Sequence, residues 1–183
     1  YDIMVVISGT GVFETSDWTG ASIPPPAVFT ISGFISIADE TFKDNTAITS
    51  VTIGTSVESI GVRAFSGCSA LTTVTFAAGS ELTTIGNNAF RQSPNLTTIA
   101  IPSKVTSIGD WAFAFIYKLT TVTFAANSEL TTIGDNAFRQ TGLTTIAIPA
   151  DVNFIGEFAF NSCDSLATVY MWPDTATAVG VTF

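Results

Sequence analysis

The chain has 183 residues, of which 46% are hydrophobic and only 11% are charged, and its formal net charge is −9. This composition is typical of a folded domain with a buried core and excludes disorder, which requires high charge and low hydrophobicity. The six Lys and Arg residues are too few and too scattered for a nucleic-acid-binding face. No run of about 18 apolar residues occurs, so the sequence predicts no membrane insertion.

The first 36 residues lack the pattern that fills most of the chain, and they contain the run Pro24-Pro25-Pro26. Four apolar residues favour short strands in this segment: Val5, Ile7, Val12 and Phe13. Because a non-repeat segment at the end of a repeat array shields the open core, we interpret residues 1–36 as an N-terminal cap. A flexible linker is the alternative.

A motif of the form Ile-Gly-x-x-Ala-Phe recurs through the middle of the chain. Its copies start at positions spaced about 22–25 residues apart, within the range of leucine-rich repeats. The copies are Ile60–Phe65, Ile85–Phe90, Ile108–Phe113, Ile133–Phe138 and Ile155–Phe160, with a degenerate first copy at Ile37–Phe42. Long repeats, which carry a two-residue insertion at 77–81 and 125–129, alternate with short ones.

Each repeat contains a segment with strict alternation, such as Leu71–Phe76, and period-2 alternation predicts a strand. A second short strand is predicted at Leu82–Ile85. The following Gly86 is expected to permit a tight bend. Asn87–Phe90 then fits a short helical turn or a 3-10 turn.

A single repeat cannot bury its own apolar side, so equivalent side chains must stack on the next coil, with adjacent strands pairing in parallel about 4.8 Å apart. We therefore predict a β-dominated leucine-rich-repeat solenoid: a parallel sheet of stacked coils with short helical or 3-10 turns. About six repeats of 22–25 residues fill 37–172. Residues 173–183 are interpreted as a C-terminal cap or as the start of a continuing segment.

The recurring pattern resembles the BspA-like leucine-rich repeats, also called the Treponema pallidum type. The residues that carry the resemblance are Leu96–Pro102, Val105–Gly109 and Ala64–Cys68, and the pattern returns in register in every coil. The resemblance implies a secreted or surface-anchored protein that acts in adhesion. It therefore implies an extracellular or cell-surface location and a protein or cell-surface ligand.

The residues needed for catalysis or metal binding are poorly represented. The chain has no histidine, which removes the commonest general base and the commonest metal ligand. Asp110, Asp135 and Glu157 occupy equivalent slots in neighbouring coils, but a solvated edge explains such a column more simply than paired catalytic carboxylates. We therefore predict no enzyme, no catalytic residues, no metal and no cofactor.

The two cysteines, Cys68 and Cys163, occupy the same slot four coils apart. That places them about 19 Å from each other, whereas a disulfide requires Cα atoms within about 7 Å. We interpret them as two free buried thiols.

Two surfaces are candidates for a partner. Large aromatic residues occupy slots that are mostly polar or small in other coils: Trp111, Phe115, Tyr117 and Phe158. Clustered exposed rings indicate an interface, although rings that lie down on neighbouring coils are the alternative. The second candidate is the outward face of the predicted sheet, formed by Thr73, Thr75, Thr98, Thr121, Thr123 and Thr145.

We expect a rigid scaffold for protein–protein or cell adhesion. One alternative is a structural spacer or self-assembling surface element without its own ligand, which would imply self-association. A remote alternative is ice binding by the outward threonine ladder, a regular polar array on a strand face.

Overall fold

The computed structural model describes residues 3–14, 27–171 and 179–182, and the regular elements in these ranges are sixteen β-strands. Eight strands of four to six residues recur once per coil: β1 Ile3–Ser8, β3 Ala27–Ser32, β5 Ile48–Ile53, β7 Thr73–Phe76, β9 Thr98–Ile101, β11 Thr121–Phe124, β13 Thr145–Ile148 and β15 Thr168–Met171. Seven strands have two residues: β2 Val12–Phe13, β4 Ser36–Ile37, β6 Ser59–Ile60, β8 Thr84–Ile85, β10 Ser107–Ile108, β12 Thr132–Ile133 and β14 Phe154–Ile155. The last strand is β16 Val179–Thr182.

The strands stack coil upon coil in parallel, which confirms the predicted leucine-rich-repeat solenoid. The two-residue strands form one continuous parallel sheet in the order β14-β12-β10-β8-β6-β4-β2. Residues in the same slot of successive coils pair with each other, as Ile60 does with Ile85 and Ile108 does with Ile133. The repeat in sequence is therefore also the register of the sheet.

The row of longer strands is interrupted. It consists of a sheet β1-β3-β5-β7, a pair β9-β11, and a sheet in which β13 pairs with β15. Among these described strands, β7 is not paired with β9, nor β11 with β13. Each interruption follows a coil that carries the two-residue insertion, at 77–81 or 125–129. The long and short coils thus divide this face of the solenoid into segments.

The two ends of the chain add strands to the stack. In the predicted N-terminal cap, β1 pairs in parallel with β3 and β2 with β4, and Phe13 is fully buried. Coil stacking thus continues into this segment, while the run Pro24–Pro26 lies outside the described residues. At the other end, β16 pairs antiparallel with β15, and Trp172 and Pro173 lie outside the described residues. The domain boundaries at 36 and 172 remain predictions.

The predicted helical or 3-10 turns are wrong in detail, since no helix occurs in the described residues. After Gly86, the Ala89 amide donates to the Gly86 carbonyl at 3.2 Å, and Asn88 has a φ of 59°. A positive φ at the third residue of a four-residue turn is the type II geometry. The amides of Asn88 and Phe90 then donate to carbonyls of the following coil, each at 2.8 Å, rather than back along their own chain as in a helix.

The glycine of the motif has a different role from the one predicted. The φ of Gly86 is not in the left-handed region. Instead, a Cβ at this position would lie 2.7 Å from the Ile60 carbonyl oxygen and 2.8 Å from the Gly61 carbonyl carbon. Glycine is therefore required because the backbones of two coils approach closely, not because the chain bends there.

A column of stacked phenylalanine rings runs through the core. Successive ring centroids lie 5.0 to 5.5 Å apart, and the ring planes are within 16° of parallel. The column consists of Phe42, Phe65, Phe90, Phe113, Phe138 and Phe160. The last phenylalanine of each Ile-Gly-x-x-Ala-Phe motif thus supplies one ring to a continuous core.

We predict that Phe113→Ala lowers the free energy of unfolding by about 3–5 kcal/mol, because it opens a cavity between two stacked neighbours. Phe160→Ala should cost less, since Phe160 is half-buried and stacks on Phe138 alone among the described residues. Urea unfolding followed by circular dichroism measures both, with the exposed Thr123→Ala as control. Equal losses at the two phenylalanines would contradict a core that depends on neighbours on both sides.

Candidate ligand-binding edge

The acidic column forms a hydrogen-bonded ladder between coils. At the position after the motif glycine (after Ala38 in the degenerate first copy), four residues use a side-chain Oδ1 to accept the backbone N–H of the equivalent residue in the next coil, and Val62 interrupts the series. The pairs are Asp39 with Val62 at 2.6 Å, Asn87 with Asp110 at 2.9 Å, Asp110 with Asp135 at 2.9 Å and Asp135 with Glu157 at 2.8 Å. Asn87 performs the same task without a charge, so the column needs an acceptor and not an acid.

We predict that Asp110→Asn leaves stability nearly unchanged, because the amide oxygen can accept the Asp135 N–H as Asn87 does in the preceding coil. Asp110→Ala should cost about 0.5–1.5 kcal/mol, the usual net value of one hydrogen bond. Thermal unfolding of the two variants beside the parent chain tests this. A larger loss for Asn than for Ala would show that the carboxylate charge itself is required.

The two cysteines are free and buried. Their thiols donate to phenylalanine carbonyls, Cys68 to Phe42 and Cys163 to Phe138, both at 3.1 Å. In the same slot Ser93 donates to the Phe65 carbonyl at 2.8 Å. Burial raises the pKa of the Cys68 thiol from 9.0 to about 12. The thiol therefore serves as a weak internal donor and not as a nucleophile.

We predict that Cys68 makes stability depend on pH in alkaline solution. Because its pKa is raised in the folded chain, the proton is retained between about pH 9 and 12 only while the chain is folded, and stability falls as the pH rises through this window. Cys68→Ser should keep the bond to Phe42, as Ser93 does with Phe65, and weaken that pH dependence. Urea unfolding at several alkaline pH values measures the difference. Identical profiles would contradict the assignment.

Two aromatic rings lie together in the turn after β10, in the coil that contains β9. We call the edge of the solenoid formed by these turns the turn edge. The Trp111 and Phe115 centroids are 5.8 Å apart, with an interplanar angle of 18°, and both side chains are half-buried. Their φ angles are 58° and 62°. The same two slots have positive φ in the other coils, and there they hold mostly polar residues or glycine: Glu40, Arg63, Asn88 and Asn136 in the first slot, and Asp44, Gly67, Gln92, Gln140 and Ser162 in the second. The variable columns of the sequence are thus columns of left-handed residues.

Two arginines, which the sequence analysis did not single out, flank these rings from the coils on either side. The Arg91 guanidinium carbon lies 5.4 Å from the Trp111 ring centroid and 5.2 Å from that of Phe115. The Arg139 carbon lies 5.6 Å from the Trp111 centroid. The slot of these arginines holds Ala114 in the middle coil, which leaves room for the rings. We call Arg91, Trp111, Phe115 and Arg139 the arginine–aromatic cluster.

The other two predicted aromatic residues stand apart. Tyr117 is 62% exposed and Phe158 is 61% exposed, and neither makes a ring contact with a described residue. Phe158 occupies the Trp111 slot two coils further along, with Asn136 between them. The structure therefore brings together two of the four rings and does not add Tyr117 or Phe158 to them.

The six threonines of the predicted sheet face are all exposed: Thr73, Thr75, Thr98, Thr121, Thr123 and Thr145. Other threonines are structural. The Thr83, Thr106 and Thr131 hydroxyls donate to carbonyls of the preceding coil, at 2.9, 3.2 and 3.1 Å. Because the sheet is interrupted between β7 and β9 and again between β11 and β13, the outward threonines do not form one regular lattice.

A shallow groove follows from the alternation of long and short coils. It has a volume of about 390 Å³ and lies where the short coil at Pro102–Lys104 sits between the long coils. Phe76 and Phe124 line it, and the Lys104–Glu81 ion pair lies at its side.

Three of the six basic side chains form ion pairs. Lys43 and Arg63 both contact Glu40 at 3.1 Å, and they lower the pKa of that carboxyl, Lys43 more strongly. Lys104 pairs with Glu81. The other three, Arg91, Lys118 and Arg139, have no carboxylate partner among the residues that the structure describes. Two of these three belong to the arginine–aromatic cluster.

The chain belongs to the BspA type leucine rich repeat family, whose model matches six copies over residues 35–167. This confirms the resemblance found in the sequence. No curated protein sequence matches the chain.

Solved structures of bacterial proteins share the fold. The pneumococcal vaccine antigen PcpA is 27% identical with a TM-score of 0.75, over 92% of this chain and 45% of that one. A leucine rich cell surface protein from Faecalibacterium prausnitzii is 31% identical with a TM-score of 0.58, over 81% of this chain and 48% of its own. The leucine-rich repeat protein of T. pallidum, at 23% identity and a TM-score of 0.56, covers 78% of this chain and 57% of its own, and shows the fold alone. This chain spans about half the length of these proteins.

Within the described ranges, no helix is long and apolar enough to cross a membrane. The same ranges contain no group of three or more Cys, Asp and Glu residues placed to hold a metal ion.

Proposed function

We propose that this chain is the scaffold of a bacterial extracellular or cell-surface protein that binds a protein ligand, in adhesion, through the edge that carries Trp111 and Phe115. The family and the names of two structural relatives, a vaccine antigen and a cell surface protein, support the location. The hydrogen-bonded acidic ladder gives its carboxylates a structural role, because Oδ1 of Asp110 and of Asp135 accepts a backbone N–H of the next coil.

The observation that carries the proposal is the backbone conformation of the two rings. A bulky residue in the left-handed region costs about 1–2 kcal/mol. The neighbouring coils occupy the same slots with Asn88, Asn136 and glutamines, and Asn is a residue type that tolerates this region well. Because positive φ occurs at these slots in every coil, what sets this coil apart is that two large rings fill both slots side by side. Bulky residues at such positions indicate a functional demand.

The surrounding structure favours fast binding with a small loss of conformational entropy. Trp111 and Phe115 are held in place by each other and by the two arginines, and the stacked phenylalanine column lies directly beneath this turn. Side chains that are already ordered lose little conformational entropy when a partner binds. Aromatic side chains with half-exposed faces or edges are also the usual energetic centres of protein interfaces.

A structural spacer or self-assembling element is the second candidate, and the exposure of Phe158 and Tyr117 favours contacts with a second copy. Ice binding is not favoured, since the threonine face is interrupted twice. The two candidates predict different behaviour in solution.

The test compares the chain with Trp111→Asn/Phe115→Gln, which installs the residues that Asn88 and Gln92 supply one coil earlier, so the fold should persist. Binding to immobilised matrix proteins and to intact cells is measured for both. A loss of tenfold or more in the variant supports the aromatic edge.

The matched control is Thr121→Lys/Thr123→Lys on the sheet face, which should bind as the parent chain does. Loss in this control alone would move the site to the sheet. Sedimentation of the parent chain without ligand separates the second candidate: concentration-dependent association with no binding in the panel would favour self-assembly.

A further inference from the structure

The arginine–aromatic cluster contains two cations that the rest of the chain leaves unneutralised. In a chain with a net charge of −9, three of the six basic side chains already pair with carboxylates, while Arg91 and Arg139 pair with no carboxylate among the described residues. Both are half-buried, and each stacks on Trp111. Unpaired guanidiniums held against an aromatic ring present a fixed positive charge to whatever docks there.

The hydrogen-bond state of the two arginines shows which atoms remain for a ligand. The Nε atoms of Arg91 and Arg139 are buried and have no hydrogen-bond partner. One terminal nitrogen of each, Nη1, contacts an asparagine of its own turn: Arg91 with Asn88 at 3.4 Å and Arg139 with Asn136 at 3.2 Å. The Nη2 atom of each arginine has no hydrogen-bond partner among the described residues and is not buried, so it remains for a ligand beside Nη1. This end of the guanidinium matches the two oxygens of a carboxylate.

We propose that the cluster is a carboxylate-binding site that takes acidic side chains of a protein ligand, one at Arg91 and one at Arg139, with Trp111 and Phe115 contacting the apolar stems between them. The two arginines stand two coils apart, which places the carboxylates about 10 Å from each other. This inference rests on the proposed function, because it names the chemistry of the ligand at the same edge.

The geometry favours a peptide over an acidic glycan. Sugars bind aromatic side chains by lying over the ring face, as stacked bases do in nucleic-acid sites. At Trp111 that space is occupied, since guanidiniums from the preceding and following coils lie 5.4 and 5.6 Å from the ring centroid. What remains accessible is the ring edge, which suits the aliphatic part of a Glu or Asp side chain.

The net negative charge of the chain opposes an acidic partner, and the acidic ladder residues Asp110 and Asp135 lie at the same edge as Trp111. Charges further apart than the Debye length, about 8 Å at physiological ionic strength, are largely screened. The contact of a carboxylate with a half-buried guanidinium is screened much less. Binding should therefore change little when salt is raised through the physiological range, unlike a purely electrostatic surface attraction.

The experiment measures fluorescence anisotropy of a labelled hexaglutamate peptide titrated with the chain, beside a hexaglutamine peptide. We expect binding of hexaglutamate only. Arg91→Gln/Arg139→Gln should weaken it by at least tenfold. This loss is expected because one charge-assisted hydrogen bond is worth about tenfold. The control Lys43→Gln/Lys104→Gln removes the same charge at two ion-paired positions and should leave hexaglutamate binding within about twofold.

Two further measurements make the outcome specific. Circular dichroism melts check that each variant is folded, and Arg91→Lys/Arg139→Lys, which keeps the charge without the planar fork, should restore binding only in part. No hexaglutamate binding, or equal binding by the two double variants, would overturn the inference. Arginine-dependent binding of a heparin oligosaccharide without binding of hexaglutamate would assign the site to acidic glycans instead and overturn the peptide assignment.

The experiments distinguish a failure of the proposed function from a failure of the carboxylate-binding site. If Arg91→Gln/Arg139→Gln keeps the matrix-protein binding that Trp111→Asn/Phe115→Gln loses, the carboxylate assignment is wrong and the aromatic edge stands. If no matrix protein or cell binds while hexaglutamate binds through the arginines, adhesion through this edge is wrong and the carboxylate site stands.

Discussion

The structure depends on backbone hydrogen bonds between adjacent coils. Amides along the turn edge donate to the following coil, whereas the motif glycines donate to the preceding one, so every coil is fastened from both sides. This fixes the coil spacing near that of paired strands, about 4.8 Å. The phenylalanine rings, 5.0 to 5.5 Å apart, and the close approach at Gly86 are consequences of that spacing.

The same constraint makes the turn edge a place where residues can vary. The left-handed slots lie outside the phenylalanine column, and Asn88, Trp111 and Asn136 all adopt the same backbone conformation there. A large side chain can change there without disturbing the phenylalanine column. The binding surface that we propose is built from this freedom, in slots whose backbone is left-handed in every coil.

Much of the fold could be predicted because it repeats. Alternation at Leu71–Phe76 and the recurring Ile and Phe slots predict strands, register and core, and these are confirmed. The turn geometry could not be predicted, because Arg63 and Glu40 carry no sequence signal for positive φ. The sequence predicts that the acidic column lies at a solvated edge, but it does not reveal the hydrogen bonds that these side chains accept from backbone N–H groups of the next coil. The contacts of Arg91 and Arg139 with Trp111 could not be predicted, because they form between different coils. The small Ala114, which fills the same slot in the middle coil, is the one sequence feature that indicates them.

One long and one short coil together form a larger repeat of the solenoid. The segments Leu71–Ile101 and Leu119–Ile148 are near copies that begin 48 residues apart (119 − 71), the combined length of one long and one short coil. Recombination that gains or loses one such two-coil unit would preserve the coil-to-coil contacts that repeat along the core and lengthen or shorten the rod by about 10 Å. The reach of the protein can thus evolve in steps, independently of the residues displayed on any single turn.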